Sequence, residues 1–233
     1  LAPDDKADGS PVTLADRAAE EAMRRALAEA APGHGIIGEE FGTEHGDAEW
    51  VWVLDPIDGT KAFLTGKPLF TTLIGLLHRG RPVLGIIDQV ITGERWAGAA
   101  GEATTWCGKP VRVRSCAGVS EARLSTTGPD YFTAEGRAAF ERVLGKVRLR
   151  SWGGDGYQYG LVASGGLDLV IEVLHRGDRK KDLVDNVERY AHLGIPEYFV
   201  YDRLHQKIHG YRLTDRNARR YQPIVPQYGH FAS

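Results

Sequence analysis

Apolar residues along this chain fall into short runs punctuated by glycine and proline. The most continuous is Trp50-Val51-Trp52-Val53-Leu54, which reads as a strand buried on both faces. It gives way to Asp55-Pro56-Ile57-Asp58-Gly59-Thr60. Pro56 fixes its own φ and withholds a ladder donor, so the strand is expected to stop and the chain to turn there. Upstream, Leu14, Ala18, Ala22 or Met23, and Leu27 keep helical spacing. Thr13 is the expected N-cap, Asp16 its short capping-box partner, and Pro32-Gly33 the stop. Ile36-Ile37 predicts a short strand running into Gly38-Glu39-Glu40.

Beyond Thr60 the pattern predicts a helical turn and then strands over 70–77, 83–90 and 94–99. Glycine-rich turns at that spacing make a meander or hairpin sheet. Val111 and Val113 alternate with Arg112 and Arg114, predicting a half-exposed strand with solvated arginines. From Gly118 the order becomes strand 122–126, helix 135–147, strand 147–151, small-residue helix 156–163 and buried strand 167–173. That alternation implies a layered α/β unit. In the last sixty residues Leu183, Val187, Tyr190 and Ala191 mark a helix over 182–193. Three short strands follow, at 198–202, 208–213 and 221–225, as in a meander.

Composition narrows the class. With 233 residues, 42% hydrophobic and 26% charged, the chain suits one large soluble domain or two small ones. No apolar run approaches the ~20 residues of a membrane span. The opening LAPDDKADGS lacks a basic n-region and an apolar h-region, so no signal peptide is expected. Cys107 and Cys116 form no CxxC pair or disulfide framework, which fits a reducing cytoplasm. The net charge of −2 conceals an asymmetry: 1–172 carry a net −6, and 173–233 a net +4, with 11 Lys+Arg against 7 Asp+Glu. Such a shift suggests two segments of different origin.

The candidate chemistry sits at the end of the apolar run. Asp55 and Asp58 are two carboxylates three positions apart at the mouth of a buried strand. Gly59 permits close backbone approach, and Thr60 can open a helix whose free N–H groups suit a phosphate. Paired carboxylates beside an anion cradle are what Mg²⁺-dependent phosphoryl transfer requires. Adjacent acids after a strand are usually solvated, but Glu39 and Glu40 precede that turn by about one strand and loop, which leaves convergence on it open. Asp16, taken alone, reads as a first-turn acid favoured by the helix dipole. No Ser-His-Asp or Cys-His arrangement is apparent.

At GEE followed by DPIDGT the sequence resembles the inositol monophosphatase family of Mg²⁺-dependent phosphatases. KADGSPVTLAD, GIIGEEFG, WVLDPIDGTKAF and SWGGDGYQYGLVASGGLDLVIE most resemble its histidinol-phosphatase-like branch, over roughly 5–172. The resemblance implies a layered αβαβα sugar-phosphatase fold and a small phosphorylated substrate. Histidinol phosphate is the expected ester, with inositol phosphate or another small ester open. By the family pattern Glu39, Asp55 and the Ile57 carbonyl hold one Mg²⁺, and Asp55 and Asp58 a second. Gly59 and Thr60 take the phosphate. Asp16 pairs with Thr60 to orient the attacking water, Glu39 belongs to the same catalytic set, and Asp155 lies on the substrate side. A homodimer is the expected assembly.

Two departures follow from the same comparison. The family has another helix or two before KADGSP, so the fold is expected to be truncated. Its second metal site is completed by an aspartate seven residues past a glutamate matching Glu172. Here that position is Arg179, and Asp178 falls one short. The stretch LDLVIEVLHRGDRKKDLVDNVERYAHLGIPEYFVYD instead resembles the Uma-type endonucleases, with a PD-(D/E)xK-like core. In that pattern Asp168 and Glu172 are metal ligands, assisted by Lys180 or Lys181. The expected organisation is therefore chimeric: a phosphatase region over 1–172, a seam at about 167–173, and an endonuclease-like tail fragment over 173–233. The tail's +4 charge is too small and too interspersed to argue for nucleic acid.

Overall fold

The computed structural model describes residues 4–5, 11–173, 197–202, 207–214 and 220–224. They belong to two compact units, one of residues 1–112 with 154–163, the other of 113–153 with 164–233.

In the first unit, β1 (Asp4–Asp5) and β2 (Pro11–Val12) form a short antiparallel pair. Helix α1 (Leu14–Ala30) follows. The strands β3 (Gly35–Gly38), β4 (Gly42–Glu44), β5 (Trp50–Asp58), β6 (Thr71–His78), β7 (Arg81–Gln89), β8 (Glu94–Ala99), β9 (Thr105–Trp106) and β10 (Lys109–Pro110) make one eight-stranded sheet. Their order is β10-β9-β8-β7-β6-β5-β3-β4. Only β3 and β5 run parallel, and the meander from β5 to β10 is antiparallel throughout.

Strand β5 does not stop at Leu54 as Pro56 led us to expect; it runs on through Asp58. Asp55 pairs with Leu73 and Asp58 with Thr71, three steps on β5 against two on β6. The extra residue makes a β-bulge, and a bulge is where a strand tolerates proline's missing donor. Thr72 Oγ1 donates to the Pro56 carbonyl at 2.8 Å.

Helix α1 buries a face that its apolar spacing did not mark. Its apolar positions are not the buried ones: Leu14 is 67% exposed, and Ala18 and Ala22 are also outside. The buried positions are Thr13, Asp16 and Glu20, a stripe of helical spacing that carries polar and acidic side chains. This helix packs against β5, so the polar stripe has hydrogen-bonding work rather than a greasy contact to make.

Short α2 (Thr60–Leu64) follows β5, and α4 (Asp155–Ala163) completes the unit. The small residues of α4 have a packing cause. A Cβ on Gly160 would lie 2.7 Å from the Trp96 ring, and one on Gly156 would lie 2.5 Å from Asp58 Oδ2 and 2.7 Å from Thr71 Oγ1.

In the second unit, β11 (Arg123–Thr126) lies between β12 (Leu149–Trp152) and β13 (Leu169–Val170), all parallel. Helix α3 (Ala134–Leu144) contributes Phe140 and Leu144 to a core with Ala122, Leu124 and Val147. The apolar segment 167–173, expected as one strand, divides between two sheets. Its second piece, β14 (Glu172–Val173), pairs parallel with β15 (Glu197–Asp202), and β16 (Lys207–Leu213) and β17 (Tyr221–Ile224) continue antiparallel. The expected meander is thus present. The helix expected over 182–193 lies outside the described residues.

The strand expected at Val111–Val113 is not formed. Arg114, expected to be solvated, instead forks onto Asp168, with Nη2–Oδ2 2.6 Å and Nε–Oδ1 3.2 Å. A bidentate charged pair of this kind fixes the segment more strongly than one more short ladder bond would. Each unit sets helices against a sheet, the α/β class expected from the sequence.

Candidate active site

The parallel register of β3 and β5 builds the site. Gly38 lies opposite Leu54, and the Glu39 N–H donates to the Leu54 carbonyl at 3.1 Å. Glu39, just past the carboxyl end of β3, therefore lies beside Asp55, the residue after Leu54 within β5, at that edge of the parallel pair. That edge is where open α/β sheets place their ligands. The register thus sets the backbone of Glu39 beside the Asp55–Asp58 turn.

The β5 bulge then sets Asp58. Its Oδ2 accepts from Thr71 Oγ1 at 3.4 Å and from the Gly156 N–H. Burial pushes the Asp58 carboxyl up to about 7, with the negative charges of Asp155 and then Glu39 adding to the effect. The Gly156 and Thr71 hydrogen bonds pull the other way. This field places Asp58, Asp155 and Glu39 in one electrostatic neighbourhood.

Gly59 adopts φ +91° and caps α2. A side chain here would be strained, and its Cβ would stand 2.7 Å from Asp155 Oδ2. Glycine is thus required both for the turn and for the approach of Asp155. Thr60 is the first residue of α2, as expected, and its hydroxyl donates to the Ile57 carbonyl at 3.2 Å.

Asp16 is 2% exposed and performs the capping-box role expected of it. Its Oδ2 accepts from Thr13 N at 2.8 Å and from Thr13 Oγ1 at 2.5 Å.

The oxygen-only set of Glu39, Asp55, Asp58 and the Ile57 carbonyl fits a hard divalent cation in its chemistry. Among the described residues no three His, Cys, Asp or Glu side chains are gathered tightly enough to form a preassembled metal centre. Neighbouring carboxylates repel one another, so a cation would be needed to draw them together.

Sequence reasoning missed three residues that shape the site: Glu20, Thr71 and Gly156. Glu20 was legible in principle, because it follows Asp16 by one helical turn on the same face. Thr71 and Gly156 carried no local signal, since their roles exist only once β6 and α4 meet β5.

Of the endonuclease-like candidates, the side chain of Asp168 alone lies among the described ones. Asp168 is taken by Arg114 and by the Arg123 N–H, the latter at 2.8 Å. The backbone of Glu172 lies in β14. Lys180 and Lys181, with Asp178 and Arg179, lie outside the described residues.

Several known proteins are similar to this chain. The chain is 52% identical over 170 residues to "Bifunctional phosphatase IMPL2, chloroplastic" of Arabidopsis thaliana, covering 72% of this chain and 49% of that protein. It is 38% identical over 178 residues to a histidinol-phosphatase of Mycobacterium tuberculosis, covering 72% and 67%. The chain thus spans about half the length of the plant relative. The solved structure of an inositol monophosphatase from Zymomonas mobilis superposes with a TM-score of 0.67 at 40% identity, over 95% of this chain and 81% of that one. The Uma2 restriction-endonuclease family matches 157–231. The inositol monophosphatase family model matches 3–179, and with the β3–β5 carboxylate edge in place this chain belongs to the inositol monophosphatase family.

Proposed function

We propose that this chain is the catalytic region of a Mg²⁺-dependent phosphomonoesterase acting on a small phosphate ester, with histidinol phosphate the first candidate and inositol phosphate the second. The observation that carries the reading is the position of Glu39 and Asp55 one step past the Gly38–Leu54 pair of β3 and β5, with Asp58 in the adjoining bulge. Relatives named histidinol-phosphatase support the choice of substrate, and others named inositol-1-monophosphatase support the alternative.

In this reading Glu39, Asp55 and the Ile57 carbonyl hold one Mg²⁺, and Asp55 with Asp58 a second. Bound there, such ions lower the pKa of a water and stabilise charge on a phosphate ester's leaving oxygen. The chain's own residues do the rest. Gly59 and Thr60 present backbone N–H groups to the phosphate. Asp16 is fixed by its bonds to Thr13. Thr60 can pair with it only by turning its hydroxyl from the Ile57 carbonyl. Asp155, drawn close to Gly59, faces the substrate.

The second cation site is the weaker one, because the position of its third carboxylate is Arg179. Loss of even an outer partner costs about 10–100-fold in metal affinity, and a direct ligand at least as much. We therefore propose low turnover. We also propose a boundary at 167–173, with 173–233 an endonuclease-like fragment. The two family matches overlap across that stretch. The cysteine usage favours the cytoplasm.

Phosphate release from histidinol phosphate and from inositol monophosphate, measured across a Mg²⁺ titration, tests the reading. Release should require Mg²⁺ and vanish in Glu39→Gln. No release from either ester would sink it. Full turnover at ordinary Mg²⁺ would refute the incomplete second site, unless Asp178→Asn abolishes it. That last result would show Asp178 standing in for the missing ligand.

A further inference from the structure

Glu20 has a carboxylate in an unusual place. It is 0% exposed, on a helix whose first apolar residue, Leu14, is 67% exposed. Its Oε2 accepts from the Glu40 N–H at 2.7 Å, and its Oε1 accepts from the Phe41 N–H at 3.3 Å. Arg24, one turn on, donates from Nε to Oε1 at 2.9 Å. Arg24 also donates to the Gly42 carbonyl at 2.6 Å and to Glu44 Oε2 at 3.3 Å. Between them the two side chains engage the whole turn that joins β3 to β4.

That turn begins at Glu39. On one side its N–H is fixed by the Leu54 carbonyl. On the other, the next two N–H groups end on Glu20. The peptide planes that carry the Glu39 side chain are thus held from both directions. Gly38 makes the arrangement possible, since a Cβ there would stand 1.8 Å from Glu20 Oε1. Burying an ionised carboxylate is costly unless it is paired and hydrogen-bonded. A polar stripe on α1 therefore needs a compensating use, and the β3–β4 turn supplies one.

We infer that Glu20, with Arg24, is a positioning residue that holds Glu39 in register with Asp55 for cation binding. It touches neither cation nor substrate and acts through the backbone of the turn. The inference rests on the metal-site reading proposed above.

The test is calorimetric titration of the intact chain with Mn²⁺ alone, without substrate, for the parent, Glu20→Gln, Arg24→Lys and Glu39→Gln. Amide hydrogen exchange at Glu40 and Phe41 is measured in parallel. Glutamine keeps the volume but offers only one acceptor oxygen, so one turn N–H would face an amide donor. We expect Glu20→Gln to weaken Mn²⁺ binding about 10-fold, the low end for lost outer-shell partners. Exchange at Glu40 and Phe41 should speed up. Turnover should return at high metal, whereas in Glu39→Gln it should not. If Glu20→Gln fails to fold, Arg24→Lys carries the test. It keeps the charge but loses the fork, and it should weaken binding several-fold. Unchanged Mn²⁺ affinity in the folded variant, with the parent binding and Glu39→Gln not binding, would overturn the positioning role alone. A parent that binds no Mn²⁺ would overturn the site reading and this inference with it.

Discussion

The backbone N–H of Gly156 donates to the carboxylate of Asp58 across 98 positions of sequence. One bond thereby ties the start of α4 to the bulge of β5. It also partly offsets the burial and the Asp155 charge that push the Asp58 carboxyl upward. Asp58 is held for use by a group that could not be named from its own neighbourhood.

Gly156→Ala is the direct probe of that tie. The added methyl would meet Asp58 Oδ2 at 2.5 Å, Thr71 Oγ1 at 2.7 Å and Leu73 Cδ2 at 2.8 Å. Overpacking of this kind costs about 1–3 kcal/mol. Chemical denaturation should show that loss, and phosphate release should fall with it. Wild-type stability in Gly156→Ala would mean that α4 is not held against β5 at this point.

Thr72 supports the bulge from the other strand. Thr72→Val removes the donor to the Pro56 carbonyl while keeping the shape. The lost hydrogen bond should cost about 1 kcal/mol. Urea denaturation measures the loss. If the bulge presents Asp58, turnover at limiting Mg²⁺ should drop more than turnover at saturating Mg²⁺. Equal loss at both would show that the bulge matters for folding only.

Asp168 separates the two readings of the seam. Arg114 and the Arg123 N–H both end on its carboxylate, so Asp168→Asn should lower the melting temperature by several degrees. It should also leave no metal-dependent DNA cleavage to lose. A nuclease ligand would behave oppositely: unchanged melting, with cleavage present in the parent and abolished in the variant.

Tyr157 gives a pH signature at the alkaline end. Its hydroxyl donates to Glu94 Oε2 at 2.8 Å. Burial, then the Glu94 hydrogen bond and charge, raise the phenol to about 12 from its usual 10. With the folded pKa above the unfolded one, this contribution is complete below pH ~10 and is lost as pH rises through about 12. Tyr157→Phe should therefore reduce stability at pH 8 and flatten its decline between pH 10 and 12. Parallel alkaline profiles for the two proteins would remove Tyr157 from the account.

The sequence by itself determined the local elements and the chemistry of the turn. Apolar runs, glycine punctuation and the Thr13–Asp16 box are short-range signals, because each depends on neighbours within one turn or one pleat. DPIDGT announced two carboxylates, a glycine for close approach and a helix start, and all three are there. Pro56 misled because a missing N–H ends a strand only when the partner strand needs that donor; a bulge removes the need. The apolar spacing of α1 did not mark its buried face, because Asp16 is buried in its local box with Thr13 and Glu20 for hydrogen bonds that arise only when the β3–β4 turn is close. Arg114 looked solvated because its partner stands 54 positions away. Tertiary structure alone decided which acids share a field, since Glu39 and Asp58 meet through the parallel β3–β5 register and Asp155 arrives on α4. Those encounters depend on strand order and helix packing, which no local window of residues encodes.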